Sequence, residues 1–339
     1  VKLIVTFLFS TLWGSFIHAD TTSAPAQTED SVTPIENTSP EPEPDPFHVL
    51  SNSELLHVTI PDMVEDDDDT VALHHAMMRK EIIETRAAHL PFVILPHRPN
   101  YFMPFAYSHK PDNEPFEKVL PSDFNNVEAI FQVSIKYQIG QLDNANKHRI
   151  YVAYTNKSFW QVYNDELSSP FRETNHEPEL ILQIEPDWKY VSRINIGFNH
   201  QSNGQYAEFS RSWNRIVAGF YHASGNNIFG IEPWWRIPEK SSDDPNDVTD
   251  DDNPDIESYI GYGNFVWYKK LGRQSLSLRF GNNLDTDNNR GWAELEWDFP
   301  ISSRFRAFVQ YYEGYGHSLI EYDHYQRRIG IGFKISDWL

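Results

Sequence analysis

Downstream of Pro99 the chain alternates apolar and polar side chains with a period of two, and this alternation limits the possible fold more than any other feature. Val127, Ala129, Phe131, Val133, Ile135 and Tyr137 fall on one face of an extended segment; Glu128, Gln132, Ser134, Lys136 and Gln138 fall on the other. A first strand is expected around Tyr101 to Tyr107, and further ones are centred on Val152, Leu182, Ile196, Val217, Gly230, Phe265, Leu278, Leu295, Ala307 and Ile331. That makes about twelve strands, an even number, of membrane-spanning length. Connections at residues 186–190, 223–227, 270–273 and 300–302 are short, whereas those at 156–175, 238–255 and 313–324 are long. Short turns at one end and long loops at the other are the habit of outer-membrane barrels. A soluble β-sandwich also alternates with period two. The loop pattern, and Gly-rich, Arg-bearing faces opposite the aromatic ones, favour an all-β antiparallel transmembrane barrel with a polar interior.

The residues ahead of the barrel point the same way. Lys2 precedes an apolar run from Leu3 to Ile17, and Ala19 offers a small cleavage residue before Asp20, so residues 1–19 read as a secretion signal. The run is shorter than the ~20 residues of a spanning helix, and no later segment qualifies. If the chain lives in a membrane, only a closed barrel satisfies its backbone. A mean hydropathy of -0.56 excludes a helical membrane protein. The 10 Trp and 17 Tyr, by contrast, suit interfacial girdles. With no cysteine there is no disulfide framework or thiolate site, and a net charge of -21 excludes a nucleic-acid partner.

Residues 20–98 read as an acidic, Pro-rich periplasmic linker, and residues 99–339 as the barrel domain. The stretch up to Pro46 has too few large apolar residues to fold. Within residues 48–91, Val71, Leu73, Met77, Met78, Ile82 and Ile83 recur at helical spacing after the acidic run 65–69, which predicts one short helix. Neither that run nor His74-His75 has the ligand spacing of a metal site.

Residues 199–214, NHQSNGQYAEFSRSWN, concentrate the chain's candidate chemistry. Upstream, Ile194, Ile196 and Phe198 share a strand face with His200 and Ser202; downstream, Asn214 shares one with Ile216, Ala218 and Phe220. A hairpin of these strands gathers His200, Ser202 and Asn214 near its looped end, on the apolar face. Polar groups there cost free energy unless they bond one another. One reading is nucleophilic catalysis, since a serine needs an adjacent base and the base needs an orienting partner. The other is a hydroxyl and an imidazole satisfied by local hydrogen bonds. No G-x-S-x-G elbow is present, against an α/β-hydrolase.

The run His200-Gln201-Ser202-Asn203-Gly204, with Ser210-Arg211-Ser212-Trp213-Asn214-Arg215, resembles the active-site hairpin of the outer membrane phospholipase A family of Gram-negative bacteria. Ser168-Ser169-Pro170-Phe171-Arg172-Glu173-Thr174-Asn175, Asp251-Asp252-Asn253-Pro254-Asp255-Ile256 and Tyr315-Gly316-His317-Ser318-Leu319-Ile320 extend the resemblance over residues 124–339.

The resemblance implies a calcium-dependent phospholipase of the A1/A2 and lysophospholipase type, cutting acyl esters of membrane phospholipid from the barrel's lipid-facing outer rim. Ser202 would be the nucleophile, His200 the base and Asn214 the orienting residue in place of the usual aspartate. It also implies calcium held by the Ser210 side chain and the Gln205 carbonyl, with a carbonyl matching Ser168 of the partner subunit in a homodimer. Glutamine stands at 205 where the family suggests arginine, which a carbonyl ligand tolerates. Calcium-bound waters with the Gly204 amide would form the oxyanion hole, and Asp252 marks a further acidic site. A non-enzymatic, porin-like barrel in the same outer membrane is the alternative; reaction of Ser202 with a sulfonyl fluoride would separate the two.

Overall fold

The computed structural model describes residues 93–143, 147–240, 251–302 and 305–336. The expected secretion signal, and most of the expected linker with the helix predicted in it, fall outside these residues. The strands are β1 (Leu95–Pro96), β2 (Asn100–Ser108), β3 (Val127–Gln141), β4 (His148–Trp160), β5 (Phe171–Ile184), β6 (Arg193–Ser202), β7 (Ser212–Ser224), β8 (Asn227–Arg236), β9 (Gly263–Leu271), β10 (Gln274–Asn282), β11 (Gly291–Pro300), β12 (Arg306–Gly314) and β13 (Gln326–Ser336). Each of β2 to β13 pairs antiparallel with its sequence neighbours, and β13 returns to β2. The ring is therefore closed with twelve strands, and every centre expected from the sequence lies within one. A short helix, α1 (Glu257–Ile260), interrupts the loop before β9.

Burial is inverted relative to a soluble protein. Ile231, Trp235 and Ile331 on the outer face are 54%, 61% and 56% exposed. Arg172, Glu128 and Glu321 inside are buried. A lipid-facing wall asks for this arrangement. It also explains one difference from the sequence reading. The long connection expected at 156–175 is shorter, because β4 runs to Trp160 and β5 begins at Phe171. Glu173 and Asn175 there are polar and buried, pointing at the barrel interior, while Ser158 lies on the opposite face, bonded to Asn156 and Thr174.

Inside, charged side chains pair across the ring. Glu128 receives Arg172 Nε at 3.0 Å and Nη2 at 2.9 Å, and also binds Arg328. Arg172 reaches Glu321 at 2.8 Å. Next to β1, Arg98 binds Glu177 at 2.5 and 3.0 Å and Glu179 at 2.9 Å. A cavity of about 330 Å³ remains inside the ring, with Arg98, Glu177 and Glu179 in its lining. Glu128→Ala would remove one of the two carboxylates, Glu128 and Glu321, that neutralise the buried guanidinium groups of Arg172 and Arg328. It is expected to destabilise the barrel by about 3–5 kcal/mol, measured as a lower urea midpoint of the transition from folded to unfolded gel mobility. An unchanged midpoint would mean that water already screens this cluster.

The long loops fold inward at one end. Ile256, Leu319 and Tyr322 from two of them pack on Trp213 and Trp234 of β7 and β8. Arg215 lies over the Trp213 ring, 3.9 Å from its centroid, and its Nη2 donates to Asn199 Oδ1 at 2.7 Å. This packing supports the inner side of the β6–β7 hairpin. Its outer side carries the residues of interest.

Candidate active site

The register of β6 and β7 sets His200 opposite Asn214 and Ser202 opposite Ser212, and the apolar pairs Phe198–Ile216 and Ile196–Ala218 continue the same outer face. The polar residues sit where that face meets the long-loop end. Asn203 folds the connection. Its buried side chain accepts from the Gln205 and Arg211 amides at 3.2 and 3.0 Å and donates to the Phe209 carbonyl at 2.7 Å. Gly204 takes a φ of +66°, in the left-handed region that a side chain disfavours. A Cβ there would lie 3.6 Å from His176 Cδ2.

His200 Nδ1 and Asn214 Oδ1 are 2.9 Å apart. An amide oxygen only accepts, so the imidazole proton lies on Nδ1 and Nε2 carries the lone pair. Nε2 is thus free to take a proton. Ser202 lies two residues on, along the same face. Among the described residues no hydrogen bond joins its hydroxyl to the imidazole, a contact that in hydrolases often tightens only around substrate. On its other side Ser202 pairs with His176, whose Nδ1 lies 2.7 Å from the Tyr154 hydroxyl.

The residues expected to bind a cation divide into two groups. Ser210 Oγ donates to Asp252 Oδ2 at 2.7 Å, and Ser212 Oγ reaches the same oxygen at 3.4 Å. Two hydroxyls and a carboxylate therefore converge beside the hairpin, with Gln205 on the same connection. These are the hard oxygen donors that calcium takes, and the set fits that ion. Among the described residues no group of three or more His, Asp or Glu forms a denser site, so water would fill much of the coordination shell. Ser168 stands apart. It follows a short 3-10 turn (Asp165–Leu167) between β4 and β5, with φ of 59°, and makes no hydrogen bond to the hairpin among the described residues.

Three contributors escape the sequence reading. Ser212 and His176 become visible only through the strand register. Glu239 accepts from Asn214 Nδ2 at 2.6 Å and lies beyond β8, in a long loop whose fold no motif announces.

A family model described as Phospholipase A1 matches residues 77–335. The phospholipase A1 of Klebsiella pneumoniae is 33% identical over 252 residues, spanning 73% of this chain and 84% of that protein. That of Escherichia coli strain K12 is 34% identical over 255 residues, spanning 73% and 83%. Among solved structures, the calcium-bound dimer of Salmonella typhi outer membrane phospholipase aligns with a TM-score of 0.66 at 32% identity, covering 73% of this chain and 93% of that one. Outer membrane phospholipase A from Escherichia coli aligns with a TM-score of 0.65 at the same identity, over 73% and 100%. Agreement of that extent, in sequence and in barrel architecture alike, makes this chain a member of the phospholipase A1 family.

Proposed function

We propose that this outer-membrane barrel hydrolyses phospholipid acyl esters at its outer rim, with Ser202, His200 and Asn214 as the catalytic unit. The observation that carries the reading is the 2.9 Å contact between His200 Nδ1 and Asn214 Oδ1, beside Ser202 on a lipid-facing wall. His200 Nε2 takes the Ser202 proton as Oγ attacks the ester carbonyl, then returns it to the departing alcohol. Water, deprotonated by the same nitrogen, releases the fatty acid from Ser202. The Gly204 amide, at the left-handed turn two residues after Ser202, would serve as an oxyanion donor. Because the site opens sideways, a phospholipid reaches it without leaving the bilayer.

Ser210 and Asp252 with the Gln205 carbonyl would hold calcium, and the carbonyl of Ser168 would reach the equivalent ion of a second copy in a homodimer. Both suggestions draw support from the calcium-bound dimer of the Salmonella relative and from the convergence of Ser210, Ser212 and Asp252. When bound, calcium supplies positive charge next to the developing oxyanion. The porin-like alternative finds no support in a family of hydrolases. The direct test is fatty-acid release from phospholipid in detergent micelles by the refolded protein, with calcium and with chelator. No release under either condition would overturn the assignment.

Asn214→Ala should be the mildest of the three catalytic substitutions, because it removes the orienting bond but leaves the base. An unmade hydrogen bond is worth about 1–3 kcal/mol, so kcat/KM should fall by roughly 5- to 150-fold. A loss as deep as that of Ser202→Ala would require more of Asn214 than orientation.

A further inference from the structure

Asn214 has two hydrogen-bonding ends, and the structure occupies both. Its Oδ1 faces His200 Nδ1 at 2.9 Å and its Nδ2 faces Glu239 Oε1 at 2.6 Å. A carboxylate accepts and cannot donate, so it commits the amide to one orientation. With NH₂ turned to Glu239, the oxygen must turn to the imidazole. Were the amide reversed, Nδ2 would donate to an unprotonated Nδ1. The ring proton would then sit on Nε2, where it blocks acceptance of the Ser202 proton. A neutral amide has no preference of its own between these states. We infer that Glu239 is a positioning residue of this catalytic unit, selecting the Asn214 amide orientation and lending His200, through that amide, the negative charge that an asparagine lacks.

The inference rests on the assignment of Ser202, His200 and Asn214 as the catalytic unit. Hydrogen bonds in series polarise one another, so a carboxylate on Nδ2 makes Oδ1 a better acceptor for the imidazolium proton. Among the described residues, the charged groups that act on Glu239 are Arg236 at the end of β8 and Asp251 and Asp252 on the loop before α1. Arg236 is itself engaged by Asp251 at 2.5 Å, so it is shared. Burial pushes the Glu239 carboxyl above its usual range; the Asn214 amide and Arg236 oppose that shift, while Asp251 and Asp252 add to it.

The test compares Glu239→Gln, Asn214→Asp and the double variant with wild type, at saturating calcium and across pH, on the refolded full chain. Glu239→Gln keeps the acceptor and the shape but loses the charge and the one-way character. It should lower kcat about tenfold with KM little changed, and move the acid limb of the rate–pH profile to lower pH, because imidazolium loses a stabilising charge. Asn214→Asp places a carboxylate directly on His200 and against Glu239, so it should be impaired above the pH where both ionise. Adding Glu239→Gln to Asn214→Asp should then restore activity at least tenfold, the opposite sign to its effect in wild type. A merely structural Glu239 would leave the profile unmoved and lower activity equally in both backgrounds, which would overturn the inference. Ser202→Ala is run alongside: if it stays active, the catalytic assignment fails; if it is inactive while Glu239→Gln behaves as wild type, only the role of Glu239 fails.

Discussion

Ser202→Ala should lower phospholipid hydrolysis by about 10⁴- to 10⁶-fold, and His200→Ala by a similar factor, while the double variant is no worse than either alone. The non-additivity follows from the chemistry. A serine without its base is an ordinary alcohol, and a base without its nucleophile has no proton to take. Neither substitution should touch the barrel, because His200 and Ser202 lie on the outer face while the supporting contacts of Trp213, Arg215 and Asn199 lie on the inner one. Gel mobility of unheated against heated samples reports the fold, and fatty-acid release reports the chemistry. A folded Ser202→Ala protein retaining even a tenth of the activity would remove the serine from the mechanism.

The second large effect is expected on calcium removal. A chelator should reduce hydrolysis by about 10²- to 10³-fold, the scale of losing one oxyanion contact. The proportion of cross-linked dimer should fall with it. Ser168 sits on a loop between β4 and β5, separate from Ser210, Asp252 and Gln205, so under the ligand set proposed above a single copy would be incomplete. Ion binding and association then share a coupling free energy and must favour one another reciprocally. Titrating calcium while following hydrolysis and cross-linking together should give superimposable curves. In Ser210→Ala and Asp252→Asn both curves should move to higher calcium. A chelated, demonstrably monomeric protein working at full rate would end the coupling.

Much of this molecule is legible in its sequence because a barrel wall has only two faces. The alternation through Ile194, Ile196, Phe198, His200 and Ser202 fixes which side chains share a face, and the β6–β7 register bears it out. The ends of β4 and β5 are harder to read, since Asn156, Lys157, Ser158, Glu173 and Asn175 look like loop by the standards of a soluble protein. Inside a barrel they are wall. β1 escapes because two residues carry no period, and its pairing with Ile135 and Lys136 depends on the closed ring already being present. Glu239 escapes for another reason. Its partner is 25 residues away along the chain, and only the path of a long loop brings the two together.

The sideways opening of the site changes what substrate concentration means for such an enzyme. For a barrel embedded in lipid, the governing variable is the mole fraction of phospholipid in the surrounding surface rather than its amount per litre. Diluting the phospholipid with inert detergent at constant bulk concentration should slow turnover, whereas diluting the whole suspension should not. In the dimer proposed above, the rate depends as well on how often two copies meet in the plane of the membrane, which makes lateral density a second control on when lipid is cut.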